Sequence, residues 1–350
     1  MSAPARDFSY VSTRYPGSKR RLANWIVDQT KGLKYHSVLD AFGGTGSVSY
    51  AFKRIGKQVT YNDILTCNYY TALALVENSR HKLTEEDLSW VVSKHKELKY
   101  PHFIRDTFRN IYYRDRENVW LDMAITNIRH MRNRYKQALA LHALFQSCLV
   151  KRPFNAFHRR NLYLRLANVE RTFFNHLTWE RPFEEWFRKF SLQANPCVFD
   201  NGQRNLARNF DVFRIPKERF DLVYIDPPYT STQGRSIDYQ HHYNFLEGLC
   251  DYDDWAERID YHSKNRRLKL NPSSWKSGKR RIERTFEKLF ERFQDSILLV
   301  SYRSPGVPSV ATLKRLLEQY KDKVRVRRKA HRYVLSKPEV KNFEVLFVAT

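Results

Sequence analysis

Asp221-Leu222-Val223-Tyr224-Ile225-Asp226-Pro227-Pro228-Tyr229 is an apolar run that stops at a carboxylate, two prolines and an aromatic ring. A short continuous apolar segment closed by a turn signal predicts a strand buried on both faces. The two prolines donate no backbone N–H and hold φ near about −65°, so the hydrogen-bond ladder ends at Asp226 and the chain leaves the sheet in a fixed direction. Asp226 is therefore aimed as well as exposed. An Asp-Pro turn is common in itself, so the chemistry of this stretch has to be decided by its surroundings.

Segments upstream supply them. Ser37-Val38-Leu39-Asp40-Ala41-Phe42-Gly43-Gly44-Thr45-Gly46-Ser47-Val48 passes from an apolar strand through a glycine-rich turn into an amphipathic helix, the start of a βαβ unit. Glycines in such a turn let a ligand approach the backbone, and the helix N–H groups beyond attract anionic groups. A second strand, Gln58-Val59-Thr60-Tyr61, ends in Asn62-Asp63-Ile64. Asp63 falls about 20 residues past the glycines, where an acidic side chain grips ribose hydroxyls in nucleotide-binding sheets. The pattern points to an adenosine-like ligand. Without a Walker-type Gly-Lys-Ser/Thr it argues against nucleotide hydrolysis. Further upstream, Thr13-Arg14-Tyr15-Pro16-Gly17-Ser18-Lys19-Arg20-Arg21 leads to Leu22, Trp25 and Ile26, spaced for one helix face. Three cations at a helix start oppose the partial positive charge there and require an anionic group nearby. The plain alternative is a basic surface turn.

Composition narrows the partner. Among 350 residues, 62 Lys plus Arg face 37 Asp plus Glu, a net charge of +25. Such an excess implies a polyanionic partner, with nucleic acid ahead of an anionic membrane surface. No apolar run approaches the ~20 residues of a spanning helix, and Met-Ser-Ala-Pro-Ala-Arg at the start lacks the apolar core of a signal peptide. An intracellular, cytoplasmic protein is expected. Cys67, Cys148, Cys197 and Cys250 are scattered with no Cys-x-x-Cys pair, so neither a disulfide framework nor a metal site is expected.

Between residues 76 and 195 the alternation of strand and helix gives way to a helical, basic and aromatic region. It holds Arg132, Arg134, an apolar helix around Ala138 to Leu149, and Lys151-Arg152-Pro153-Phe154-Asn155-Ala156-Phe157-His158-Arg159-Arg160. An insertion of this length predicts a second domain. Arg and Asn read guanine and adenine edges bidentately, so Arg132, Arg134, Lys151, Arg152, Asn155, Arg159 and Arg160 are candidate nucleic-acid contacts; the alternative is a solvated cationic face. The sheet is expected to resume at Cys197-Val198-Phe199-Asp200-Asn201 and to continue with 220–226. Residues 230–245, with Arg235 and His242, form a polar loop at the carboxyl end of a strand, where an α/β enzyme holds its substrate. Residues 264–281, ending in Lys279, Arg280 and Arg281, read as a flexible basic arm for a phosphate backbone. A strand at 296–302, a helix at 309–320 and β segments near 323–335 and 343–349 complete the expected elements.

Taken in order, these segments resemble the Dam-like DNA adenine-N6 methyltransferases that accompany restriction systems. Tyr15-Pro16-Gly17-Ser18-Lys19 resembles the family's N-terminal cofactor motif, and Asp40-Ala41-Phe42-Gly43-Gly44-Thr45-Gly46 the glycine motif that receives the methionine end of S-adenosylmethionine. Asn62-Asp63-Ile64 resembles the segment holding its ribose and adenine, and Asp226-Pro227-Pro228-Tyr229 the catalytic motif. The resemblance implies an α/β, Rossmann-like methyltransferase sheet with helices on both faces. Residues 1–75 and 196–350 would form the catalytic domain, and 76–195 an inserted, mainly helical target-recognition domain. It also implies S-adenosylmethionine as cofactor, double-stranded DNA as substrate, a cognate restriction endonuclease acting separately, and no metal. Two departures stand out: Tyr15 and Gly17-Ser18 replace the family's Trp and paired glycines, and Gln203 stands near where many relatives carry an acidic residue against the cofactor adenine.

The chemistry accounts for the residue types. Adenine's exocyclic amine has its lone pair delocalised into the ring, and acceptors aimed at its two hydrogens favour the tetrahedral nitrogen that attacks a sulfonium methyl. The Asp226 carboxylate and the Pro227 carbonyl are such acceptors, Pro228 stiffens the turn, and Tyr229 offers a stacking face to a base flipped out of the duplex. Two other readings meet the same composition: an RNA adenine methyltransferase, and a basic nucleic-acid-binding protein without catalysis.

Overall fold

Leu222–Ile225 is buried at every position, as expected of a strand covered on both faces. It is β4 of a seven-stranded sheet formed by β1 (Ser37–Asp40), β2 (Gln58–Asn62), β3 (Leu206–Arg208), β4, β5 (Ile297–Ser304), β6 (Val324–Ala330) and β7 (Phe343–Ala349). The strand order is β3-β2-β1-β4-β5-β7-β6; β1 to β5 are parallel, and β7 enters antiparallel between β5 and β6. In this computed structural model the described residues are 10–11, 13–15, 17–167, 175–231, 238–269, 273, 275, 279–331 and 342–350.

Alternate side chains of each strand face opposite layers. On one face, Val38, Val59, Tyr61, Leu222, Tyr224 and Leu299 pack against Leu22, Ala23 and Ile26 of the α1 region (α1, Ala23–Asp28) and Val48, Ala51 and Phe52 of α2 (Ser47–Arg54). The opposite layer, with Leu39, Val223, Ile225, Leu298 and Val300, is covered by two helices from the last third of the chain, 279–292 and 310–317.

The expected helical region is present. It runs from α3 (Thr66–Ala72) through α4 (Glu85–Val92), α5 (Phe103–Thr107), α6 (Asp115–Arg129), α7 (Arg134–Val150), α8 (Arg160–Leu166) and α9 (Asn175–Glu180) to α10 (Phe183–Ala194). Its core is shared with the segment after the Pro-Pro turn, α11 (Tyr239–His242), α12 (Asn244–Cys250) and α13 (Trp255–Arg258). Phe245 alone meets the rings of Phe108, Tyr112, Tyr113, Phe157 and Trp255 at centroid distances of 5.1–5.5 Å. The chain then reaches α14 (Lys279–Arg292) and α15 (Val310–Leu317), whose Ser309 cap accepts from Thr312 N at 3.1 Å. No helix among the described residues is long and apolar enough to cross a membrane.

Two expectations are corrected. Cys197–Asn201 is not a strand: Cys197 and Val198 fill the helical core, and Asn201 Nδ2 donates to Lys53 O and Lys57 O at 2.9 and 3.0 Å. The apolar run there serves the helices, and the strand comes later, at Leu206–Arg208, paired with β2. The start of the supposed arm at 264–281 is also fixed. Asn265 is buried, its O accepts from the Tyr112 hydroxyl at 2.5 Å and its Oδ1 from Arg159 N at 3.0 Å, while Leu268 bridges to Ile259. Trp275 lies 5.1 Å from the rings of both Phe42 and Phe286, and residues 270–272, 274 and 276–278 are outside the described residues.

Candidate active site

The strand order reverses between β1 and β4, and the crevice outside the carboxyl ends of the strands at such a switch point is where open α/β sheets bind ligands. Three carboxylates meet that crevice from neighbouring strands. Asp40 ends β1, Asp63 follows β2, and Asp226 follows β4. The sequence separates them by up to 186 positions; the β1–β2 and β1–β4 pairings bring their strand ends side by side.

Asp40 Oδ2 accepts from Ser49 Oγ at 2.6 Å, while its Oδ1 is buried without a hydrogen-bond partner among the described residues. Burial pushes the Asp40 carboxyl up to about 7 despite Ser49. Asp63 ties the glycine turn to the sheet: its Oδ2 accepts from Gly44 N and its Oδ1 from Leu65 N, each at 2.8 Å. Burial raises it to about 6 against those bonds. Gly44 and Gly46 have φ of 52° and 74°, a left-handed backbone that disfavours a side chain. Gly43 is required for a different reason, since a Cβ there would lie 2.0 Å from the Tyr61 ring. Phe42 and Ile64 are half-buried at the same strand ends.

Asp226 keeps 13% of its side-chain surface open. Lys19 Nζ sits 2.9 Å from each of its oxygens, and the Tyr229 hydroxyl donates to Oδ1 at 2.6 Å. Burial is the largest influence on Asp226; Lys19 opposes it, a neighbouring carboxylate adds to it, and the group rests at about 6. Lys19 is the anion-seeking cation of the N-terminal motif. Burial would lower its ammonium, yet its carboxylate neighbours outweigh that and leave it raised. The Tyr229 ring stands edge-on to Tyr302 at 5.3 Å. Pro227 is buried and Pro228 half-buried behind Asp226.

The N-terminal motif is held by residues not singled out from sequence. Tyr15 is stacked with Tyr239 and Tyr243 at 5.4 and 5.0 Å, with ring planes 3° and 5° apart. Gly17 makes room for this, because a Cβ there would approach the Tyr239 hydroxyl to 3.1 Å. Two tyrosines four apart at the end of the 230–245 segment are the signal that sequence offered. The mistaken strand at 197–201 hid another pair: Asn201-Gly202-Gln203 precedes β3, at the amino end, whereas its carboxyl end carries Asn209, which donates to Asp63 O at 2.8 Å, and Phe210, 41% exposed. Glu344 of β7, also missed, lies 3.3 Å from the Tyr229 hydroxyl and 3.6 Å from Lys19 Nζ.

The candidate nucleic-acid residues divide by burial. Arg132, Arg159 and Arg160 are exposed, Arg134 is exposed and paired with Glu77, and Asn155 is half-buried in a left-handed turn with φ of 51°. Lys151 and Arg152 are corrected: both are 1% exposed. Lys151 and Arg165 share Glu117 Oε1 at 2.8 and 2.7 Å, and despite burial these cations hold Glu117 down to about 2. Arg152 donates to the carbonyls of Tyr112, Ala156 and His158, clamping the turn that follows α7. Charge that is satisfied internally leaves nothing for a phosphate. His242 is half-buried against Tyr243, its imidazole pKa lowered by burial. Arg235 and the side chains of Lys279 and Arg280 lie outside the described residues. Among the described residues no group of three or more His, Cys, Asp or Glu is arranged to hold a metal ion.

A seven-stranded sheet of this order, with a glycine turn after β1 and Asp-Pro-Pro-Tyr after β4, is that of an α/β methyltransferase. More narrowly, residues 15–253 match the model of the D12 class N6 adenine-specific DNA methyltransferases, and the chain belongs to that family of enzymes. It is similar to the type II methyltransferase M2.HphI of Haemophilus parahaemolyticus, 29% identical over 350 residues and 97% of each chain. It is also similar to M.NlaIII of Neisseria lactamica, 24% identical over 94% of each. Against M.FokI of Planomicrobium okeanokoites, it is 25% identical over 84% of this chain and 45% of the relative.

Proposed function

We propose that this DNA adenine methyltransferase takes its methyl group from S-adenosylmethionine, transfers it to the N6 amine of an adenine flipped out of duplex DNA, and is the protecting member of a restriction–modification pair. It would act in a prokaryotic cytoplasm, on the genome that a separate endonuclease would otherwise cut. The observation that carries the reading is the convergence of Asp40, Asp63 and Asp226 on adjacent carboxyl ends across the switch point.

The residues suit the cofactor. Asp40 Oδ1, buried and without a partner among the described residues, is matched by an ammonium such as that of a methionine moiety. Gly44 and Gly46 open the backbone to close approach, Asp63 lies where a ribose is gripped, and exposed Phe210 with half-buried Ile64 supplies apolar surface for an adenine. When bound, S-adenosylmethionine supplies an electrophilic methyl on a sulfonium. The Asp226 carboxylate and the Pro227 carbonyl accept the two amine hydrogens of the target base and localise its lone pair. Tyr229, with its hydroxyl tethered to Asp226, is the aromatic support for that base. With its pKa at about 6, Asp226 is ionised at neutral pH and able to take the proton that the methylated amine must lose.

Methyl transfer from labelled cofactor to duplex DNA, single strands and structured RNA tests the reading. Duplex DNA should be preferred, and Asp226→Ala should bind cofactor while losing at least about 10²-fold in rate, as for a lost preorganised polar contact. Preference for RNA, or a fully active Asp226→Ala, refutes it.

A further inference from the structure

Glu344 lies outside the span matched by the family model and is 0% exposed. It reaches the site only because β7 runs antiparallel beside β5, placing Glu344 opposite Arg303 in the ladder. Its Oε1 accepts from the Ser301 hydroxyl and lies 3.3 Å from the Tyr229 hydroxyl and 3.6 Å from Lys19 Nζ. Tyr229 and Lys19 are also the two groups that hold Asp226, at 2.6 and 2.9 Å. Lys19 Nζ itself lies 2.5 Å from the Tyr229 hydroxyl.

Burying a carboxylate is costly unless it is paired, and one ammonium would be satisfied by one carboxylate. Here Lys19 faces two. Glu344 offsets part of the Lys19 charge, and without it the ammonium would oppose a cationic donor more strongly.

We propose that Glu344 is a positioning residue for methyl transfer: it holds Lys19 and Tyr229, and through them the Asp226 carboxylate, and its charge offsets Lys19 so that the site accepts a cationic donor. This rests on the reading that Asp226 faces the target amine and that the donor is S-adenosylmethionine.

The test uses the full chain and Glu344→Gln, nearly equal in shape. Binding of S-adenosylmethionine and of S-adenosylhomocysteine, which lacks the sulfonium charge, is measured by calorimetry. Single-turnover methylation is measured on genomic duplex DNA free of adenine methylation. The variant should bind S-adenosylmethionine at least about fivefold more weakly, with S-adenosylhomocysteine changed by less than about twofold, because only the first carries the charge that Glu344 opposes. Turnover should slow by at least about tenfold with KM for DNA within about twofold, the pattern of an interaction that acts in the transition state. On a Lys19→Met background, Glu344→Gln should change the rate by less than about threefold, since the two act as one unit. Equal weakening of both ligands, unchanged turnover, or additive losses would overturn the proposal. Should Glu344→Gln not fold, Lys19→Met/Glu344→Met replaces the pair with apolar side chains of similar volume and must be as active as Lys19→Met alone; a slower double variant overturns the proposal equally. A fully active Asp226→Ala would refute the reading of the site. An inactive Asp226→Ala beside a fully active Glu344→Gln would refute this inference alone.

Discussion

Asp40, Asp63 and Asp226 are carboxylates raised to about 7, 6 and 6, each chiefly by burial. A carboxyl whose folded pKa exceeds its unfolded value stabilises the fold fully below the unfolded value, and that stabilisation is lost as pH rises through the folded one. For Asp40 the window runs from about 4 to about 7. Buried histidines titrate in the opposite sense: His142 is lowered by burial to about 4, and its contribution is lost as pH falls from its unfolded value towards 4. The whole-protein profile therefore mixes both, and a difference between variants isolates one. Asp40→Asn should gain thermal stability relative to the parent by more at pH 8 than at pH 5, while weakening cofactor binding at pH 8. Scanning calorimetry and cofactor titration at the two pH values check this, and an equal Tm difference at both would show that Asp40 is not held protonated by the fold. At this scale the sequence was informative where structure is local: Asp226 before two prolines and the glycines after β1 stand at the strand ends where the pattern put them. Glu344 and Phe210 are ordinary residues until strand pairing sets them beside Lys19 and Asp63.

At the scale of elements, the segment between α7 and α8 shows why charge in a sequence does not reveal its destination. Lys151, Arg152, Arg159 and Arg160 lie within ten residues, yet the first two point into the core and the last two to solvent. Arg165 still pairs Glu117 when Lys151 is removed, but the buried ammonium also donates to the carbonyls of Trp179 and Arg181, and a buried acceptor left unsatisfied costs about 1–3 kcal/mol. Lys151→Met should therefore lower Tm markedly and leave the salt dependence of DNA binding unchanged. If Arg159 and Arg160 meet phosphates, Arg159→Ala and Arg160→Ala should each reduce the log–log salt slope by about 1 with little change in Tm. Thermal unfolding and DNA titrations at several salt concentrations separate the two classes; a lowered slope for Lys151→Met would contradict the assignment. The misread strand has the same origin. Cys197 and Val198 are apolar and locally strand-like, but they complete a helical core whose partners lie far away in the chain.

Across the whole molecule, the alternation of strand and helix at both ends of the chain announced the α/β sheet, and the loss of that alternation between 76 and 195 announced the helical region. What remained hidden was the joint between them. Phe245, Leu246 and Trp255 follow the motif proposed to be catalytic, yet they pack with Phe108, Tyr112 and Phe157 of the helical region in one core. Tyr243, at the start of the same segment, stacks on Tyr15 of the N-terminal motif. The segment after Asp226-Pro227-Pro228-Tyr229 thus touches both the region proposed to read DNA and the motif proposed to hold the cofactor. Such contacts carry no periodicity and no spacing rule, so no pattern in the sequence could announce them. The most direct test of the central claim is to express the chain in cells lacking adenine methylation and map modified bases along the genome. The wild type should place N6-methyladenine at one recurring short sequence, and Asp226→Ala should leave the genome unmodified; an unmodified genome with the wild type, or equal modification with the variant, would contradict it.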